Sequence, residues 1–214
     1  MKKAIVVFAS GTGSNFKNIV EKIKIYNLDA EVVLLVSNNS NCNAVTFAKK
    51  NNIKTFIYNS KKYPNDFNQD ILLKKIKQYE IDLIILAGYM KKISKNLIKN
   101  YKNKILNIHP SLLPKYGGKG FYGMKVHEAV YANKDKKTGA TVHFVDEDYD
   151  TGPILIQKEI NLKLDEKPSK ISGKVLELEH EIYFKSVRLF CEDKILWKNN
   201  KPLIKEWKVE KSIN

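Results

Sequence analysis

Asn107, His109 and Asp150 are the residues whose types could steady a negative charge and move a proton. Asn107 and His109 stand two apart in the apolar run 104–109. Strand side chains alternate, so both point to one face. An amide donor beside an imidazole can hold an oxyanion and pass a proton. Spacing alone also permits a histidine that merely packs at a strand end. Asp150 closes the run Asp146-Glu-Asp-Tyr-Asp150, just before Gly152-Pro153. It reads as a solvated acidic turn, or, if it packs against His109, as the carboxylate that holds and charges the imidazole. His143 lies in a later strand, as packing or as a partner behind the reacting groups.

A second candidate is Ser10-Gly-Thr-Gly-Ser-Asn15, between an apolar strand and a helix. Glycines permit positive φ and close approach, and a helix N-terminus offers free N–H groups to an anion. The loop is expected to bind a phosphate on a small ligand. A dinucleotide fits poorly. The third fingerprint glycine would fall at Phe16, and the second strand ends in Asn38-Asn39 rather than an acidic ribose ligand. No nicotinamide or flavin is therefore expected. Gly117-Gly-Lys-Gly120 lacks the Ser or Thr of a Walker A loop, and His127-Glu128 leads to Tyr131 rather than to a second zinc-binding histidine. No G-x-S-x-G surrounds a serine, and no Cys–His grouping suggests a metal.

The elements that must position these residues alternate along the first half. Strands are expected at 4–9, 31–36, 55–58, 82–87 and 104–109, with helices at 16–25, 44–50, 66–79 and 94–101. Phe67 belongs to the third of these helices, and Ser94 is the N-cap of the fourth. That repetition argues for an α/β fold with a mostly parallel sheet. Residues 110–123 hold two prolines and four glycines and read as a long functional loop. Strands follow at 140–145 and 154–160, then one long helix from Pro168 to about Glu192 with Ile171, Val175, Leu178 and Ile182 on one face. His180, on that helix, reads as structural. The tail from Lys194 adds one strand and then frays. The 214 residues form a single domain, with halves at 1–103 and 104–195 and a tail at 196–214.

Net charge is +15, yet of 38 basic residues only Arg188 is arginine. Base readout and bidentate phosphate contacts favour arginine. The lysines are scattered among many Asn and Ile, so they read as solvated positions rather than a nucleic-acid surface. A basic nucleic-acid-binding module is the rival from another class. Two distant cysteines, Cys42 and Cys191, make no disulfide framework, and no apolar run reaches the length of a membrane span. A cytoplasmic protein acting on small molecules, as a monomer or homodimer, is expected.

Five segments in order carry a resemblance. They are Ser10–Asn15, Leu86-Ala-Gly-Tyr-Met90, Asn107-Ile-His-Pro-Ser-Leu-Leu-Pro-Lys115, His143-Phe-Val145 and Asp150-Thr-Gly-Pro153. Over about residues 3–195 the chain resembles the folate-dependent formyltransferases, and among them those acting on phosphoribosylglycinamide. The resemblance implies a twisted sheet of about seven strands with helices on both faces, Rossmann-like. It implies 10-formyltetrahydrofolate as co-substrate, with no metal. Asn107, His109 and Asp150 would be catalytic. Gly13, Ser14 and Asn15 would hold the substrate phosphate, Glu179 would meet the ribose, and Lys174 is a further phosphate partner. Met90, Lys91, Lys92, Ile93, Asn107 and Asp146 would line the folate pocket. An arginine that takes the folate tail in the family falls here at Asn65, with Lys61 and Lys62 nearby. The segment 116–127 is longer than in many members, and Phe184 stands where a proline often follows Ile-Tyr. The alternative acceptor within the superfamily is a sugar-nucleotide amine.

Overall fold

The computed structural model describes residues 2–66 and 69–205. In chain order the first half runs β1 (Lys3–Phe8), α1 (Ser14–Ile25), β2 (Ala30–Ser37), α2 (Asn43–Lys50), β3 (Lys54–Ile57), α3 (Asp70–Lys77), β4 (Leu83–Leu86), α4 (Lys95–Asn100) and β5 (Ile105–His109). The second half runs α5 (Met124–Ala132), β6 (Lys137–Phe144), β7 (Ile154–Asn161), α6 (Pro168–Cys191), β8 (Ile195–Lys198) and β9 (Lys201–Ile204).

One seven-stranded sheet has the order β3-β2-β1-β4-β5-β6-β7. β1 to β5 are parallel, and β6 and β7 each run antiparallel to the neighbour before them. The apolar runs of β1, β2 and β4 are continuous because helices cover both of their faces. On one face Phe16, Ile19, Ala44, Val130, Ile171, Val175 and Ile182 pack on Ile5, Val7, Leu35 and Leu106. On the other, Leu72, Ile76 and Leu97 pack on Val6, Phe8, Ile84 and Ile105. Strand order reverses between β1 and β4, and a ligand crevice is expected beyond the carboxyl ends of the strands at that point.

Tyr183 of α6 is fully buried and fastens β4 to β5. Its hydroxyl donates to the carbonyls of Leu86 (2.9 Å) and Leu106 (3.0 Å), next to Asn107. Tyr183→Phe leaves those carbonyls short of a donor in a dry core. It is expected to cost about 1–3 kcal/mol of stability, read from the urea midpoint.

Three readings of the sequence change. The helix expected from Asp66 begins at Asp70, because the Asp66 carboxylate accepts from the N–H groups of Asp70 (2.8 Å) and Ile71 (3.1 Å). Phe67 lies outside the described residues. α5 is an additional helix. Its signal was only Val126 and Val130 at i, i+4, both buried. The tail is a hairpin rather than one strand, with β8 paired antiparallel to β9 and Trp197 packed on Phe144 at 4.7 Å. Residues 206–214 lie outside the described residues.

Candidate active site

A cleft of about 550 Å³ opens at the carboxyl ends of β1, β4 and β5. It straddles the sheet. The glycine loop and Glu179 belong to the layer of α1 and α6, while Leu86, Ile93 and Val145 belong to the layer of α3 and α4. Asn107 and His109 stand at the end of β5 between them.

Gly13 starts α1 in the left-handed region, at φ +72°. A Cβ there would meet the Ala44 Cβ at 2.8 Å, so both its conformation and its packing require glycine. The first N–H groups of α1 are left for a ligand. Asn15 is buried, and its Nδ2 donates to Glu179 Oε2 at 2.7 Å. Its Oδ1 is buried without a protein partner among the described residues. Burial pushes the Glu179 carboxyl up to about 7, against the opposing Asn15 hydrogen bond.

The turn 146–152 brings Asp150 back over β5. Asp146 Oδ1 staples this turn by accepting from the Thr151 hydroxyl (2.7 Å). Gly152 is obligatory, since a Cβ would meet the Phe144 carbonyl oxygen at 1.9 Å. Asp150 adopts φ +59° and is nearly closed off from solvent. One of its oxygens accepts from Asn107 Nδ2 (3.3 Å) and lies 3.6 Å from His143 Nε2. The other accepts from the Gly118 N–H (2.9 Å) and lies 3.4 Å from His109 Nδ1. Burial opposes the Asp150 charge. The His143 hydrogen bond, the charge of His109 and the Gly118 N–H outweigh it and hold the carboxyl below its ordinary value.

His109 is 4% exposed, and its Nε2 lies 2.7 Å from the Tyr116 carbonyl oxygen. Both ring nitrogens thus face acceptors, which favours the imidazolium. Burial is the larger influence and lowers the pKa below its ordinary value. Asp150 thus pulls His109 toward the charged form, as expected of it, and burial pulls the other way. The lowered pKa favours an ionised Asp150 beside a neutral imidazole at neutral pH. His143 donates from Nδ1 to the Phe144 carbonyl (2.9 Å). In the neutral ring its Nε2 accepts from the Asn107 amide at 3.1 Å, and in the protonated ring the same nitrogen donates toward Asp150.

Most of the expected site residues converge here. Gly13, Ser14, Asn15, Met90, Lys91, Lys92, Ile93, Asn107, His109, Asp146, Asp150 and Glu179 all line the cleft. Two do not. Lys174 is drawn off by the buried Glu166 carboxylate, at 2.6 Å. Asn65 is exposed in the turn before α3 and does not line the cleft. The backbone groups of Tyr116 and Gly118 gave no sign in the sequence, because any residue carries a carbonyl and an N–H.

The profile described as formyl transferase matches residues 3–187. The chain belongs to the formyl transferase family. Among curated members, phosphoribosylglycinamide formyltransferase of Bacillus subtilis is 40% identical, over 85% of this chain and 91% of that protein. The chloroplastic phosphoribosylglycinamide formyltransferase of Vigna unguiculata is 42% identical over 95% of this chain. This formyl transferase chain spans 66% of the plant protein's length. The crystal structure of glycinamide ribonucleotide transformylase 1 from Symbiobacterium toebii superposes with a TM-score of 0.88 at 27% identity, covering 96% of this chain and 95% of that one. No helix among the described residues is long and apolar enough to cross a membrane.

Proposed function

We propose that this chain transfers the formyl group of 10-formyltetrahydrofolate to the primary amine of 5-phosphoribosyl-glycinamide, a step of purine synthesis. The observation that carries this reading is the placement of Asn107, His109 and Asp150 in one cleft, between the glycine loop at the start of α1 and a slot floored by Leu86, Ile93 and Val145. In this reading the α1 N-terminus takes the phosphate. Glu179 accepts from the ribose hydroxyls, and Asn15 Oδ1 takes a donor from the same substrate. The slot between Met90–Ile93 and Val145–Asp150 suits a flat ring whose edge bonds to exposed backbone groups. Cys42 and Cys191 are both free and buried, which fits a reducing compartment such as the cytoplasm.

The amine nitrogen attacks the formyl carbon, and the carbonyl oxygen becomes an oxyanion. Asn107 Nδ2–H turns from Asp150 to that oxygen. Asp150 receives the amine proton and shares it with the neutral His109, whose imidazolium then lies beside the oxyanion. The bond from carbon to the folate N10 breaks, and N10 takes the proton back from the pair. Holding both reactants in one cleft removes much of the entropic cost of a two-substrate step.

The test is formyl transfer measured with both substrates and with each omitted. Product that requires both supports the reading. Folate binding without transfer would move the acceptor to another amine, and no folate binding would sink the reading.

Glu179 gives a separate check. A carboxylate with pKa about 7 that accepts from ribose is lost as pH falls. Affinity for the phosphoribosyl substrate is expected to weaken roughly tenfold from pH 8 to pH 6. Glu179→Gln should bind more weakly and show little of that slope, as read by calorimetric titration. An unchanged slope would remove Glu179 from the ribose contact.

A further inference from the structure

Outside the cleft, an ionisable cluster connects to it through the backbone of the strap 115–118. Asp135 follows α5, where its N–H is held by the Val130 carbonyl at 3.2 Å. Its carboxylate is largely shielded and takes three donor contacts. Lys115 Nζ reaches both oxygens, at 2.7 and 2.8 Å, and the Tyr116 hydroxyl donates to one of them at 2.8 Å. The Lys115 ammonium also sits 5.0 Å from the centre of the Tyr116 ring. From the other side the Ser111 hydroxyl donates to the Lys115 carbonyl. Tyr116 is therefore gripped by side chain and backbone, and it is held at φ +55°, a conformation a bulky residue adopts only under constraint. The carbonyl that this posture aims inward is the one on His109 Nε2. Two residues later the same strap delivers the Gly118 N–H to Asp150.

We infer that Asp135, which touches no substrate, is a positioning residue for the reaction: by clamping Lys115 and Tyr116 it holds the Tyr116 carbonyl on His109 and so sets the imidazole's proton affinity. The inference rests on the formyl-transfer reading for its rate effect, but not for its effect on His109. The groups that face His109 are Asp150, His143, the Tyr116 carbonyl and, from α5, His127. Of these, the Tyr116 carbonyl and Asp150 favour the imidazolium and His143 does not, while His127 is itself kept uncharged by burial and by His109. Releasing the carbonyl removes one of two supports. The His109 titration should then move to lower pH, and the pair should accept a proton less readily. Asp135 is separated from the cleft by the strap itself, so both substrates should bind nearly as before.

The experiment uses the full chain with Asp135→Ala, Asp135→Asn and Tyr116→Phe. His109 is followed by histidine-labelled NMR, with its resonance assigned by its absence in His109→Asn. Asp135→Ala is expected to lower kcat about ten- to a hundredfold, with both KM values within about twofold. The His109 midpoint should shift to lower pH. Asp135→Asn still accepts from the Tyr116 hydroxyl but loses the attraction for Lys115, and Tyr116→Phe loses only the hydroxyl. Both should fall between wild type and Asp135→Ala, in rate and in midpoint. A wild-type His109 midpoint in all three variants would overturn the inference. A kcat loss accompanied by raised KM values and an unmoved midpoint would overturn it too, leaving Asp135 a purely structural residue. If formyl transfer itself fails, the midpoints still decide, since they need no reaction.

Discussion

Asp150→Asn is expected to lower kcat on the order of 10³- to 10⁴-fold while leaving the melting temperature close to that of the parent. The fold should tolerate the change. Asparagine is among the residues that enter the left-handed region most readily, and Asp150 sits there at φ +59°. The chemistry should not tolerate it. Each carboxylate oxygen serves two neighbours: one Asn107 and His143, the other Gly118 and His109. An amide offers one acceptor oxygen and one donor nitrogen, so one of those sides must face a donor where it had an acceptor. If the amide nitrogen meets Gly118, two N–H groups oppose each other. If it meets Asn107, the amide that should stabilise the oxyanion is pushed out of line. In either orientation an amide cannot receive the proton that leaves the attacking amine. Single-turnover formyl transfer, with folate binding measured alongside, separates these effects. Retention of more than a tenth of the parent rate would show that the proton leaves by another route.

How much of this was legible in the sequence depends on where the information lies. β1, β2, β4 and β5 were legible because each is an apolar run bounded by polar or glycine residues, a pattern set by burial on both faces. The glycine loop was legible because few residues other than glycine satisfy a positive φ beneath Ala44. α5 was not, because only Val126, His127 and Val130 are buried on it, too narrow a stripe to show a period just after a glycine-rich loop. The convergence of Asp150 on His109 was not legible from spacing. It depends on the turn 146–152 folding back over β5, and a solvated acidic turn has the same composition. The five-segment resemblance supplied that step. Lys174 and Asn65 are the two candidates that the fold leaves away from the cleft lining. Each sits at a suggestive place in the chain, but Glu166 takes the charge of Lys174, and the turn before α3 leaves Asn65 outside the cleft. The proton state of His109 was the least legible feature of all. It is a contest between burial and two acceptors, one of them a backbone carbonyl.

That contest makes His109→Asn the second large effect, with kcat expected to fall about 10²- to 10³-fold. The sign of its pH dependence follows from the lowered pKa. With His109 neutral at pH 7, the Asp150–His109 pair lacks one proton and can accept the one released by the amine. Acidification fills that place. The parent kcat should therefore decline as pH falls through a value below the ordinary histidine range, and stay flat above it. Protonation of Glu179 near pH 7 acts on substrate affinity, so it belongs in KM rather than kcat. In His109→Asn the acid limb of kcat should leave this range, because the imidazole whose protonation produces it is gone. The residual rate then comes from Asn107 and from the binding of two substrates in one cleft. An asparagine at position 109 places its amide near where Nδ1 stood, beside Asp150, and falls short of the Tyr116 carbonyl, but Ser111 and Asp135 still hold the strap and the fold should persist. A kcat profile in His109→Asn with its acid limb unchanged would assign that limb to another group. It would leave His109 as a packed residue at the end of β5.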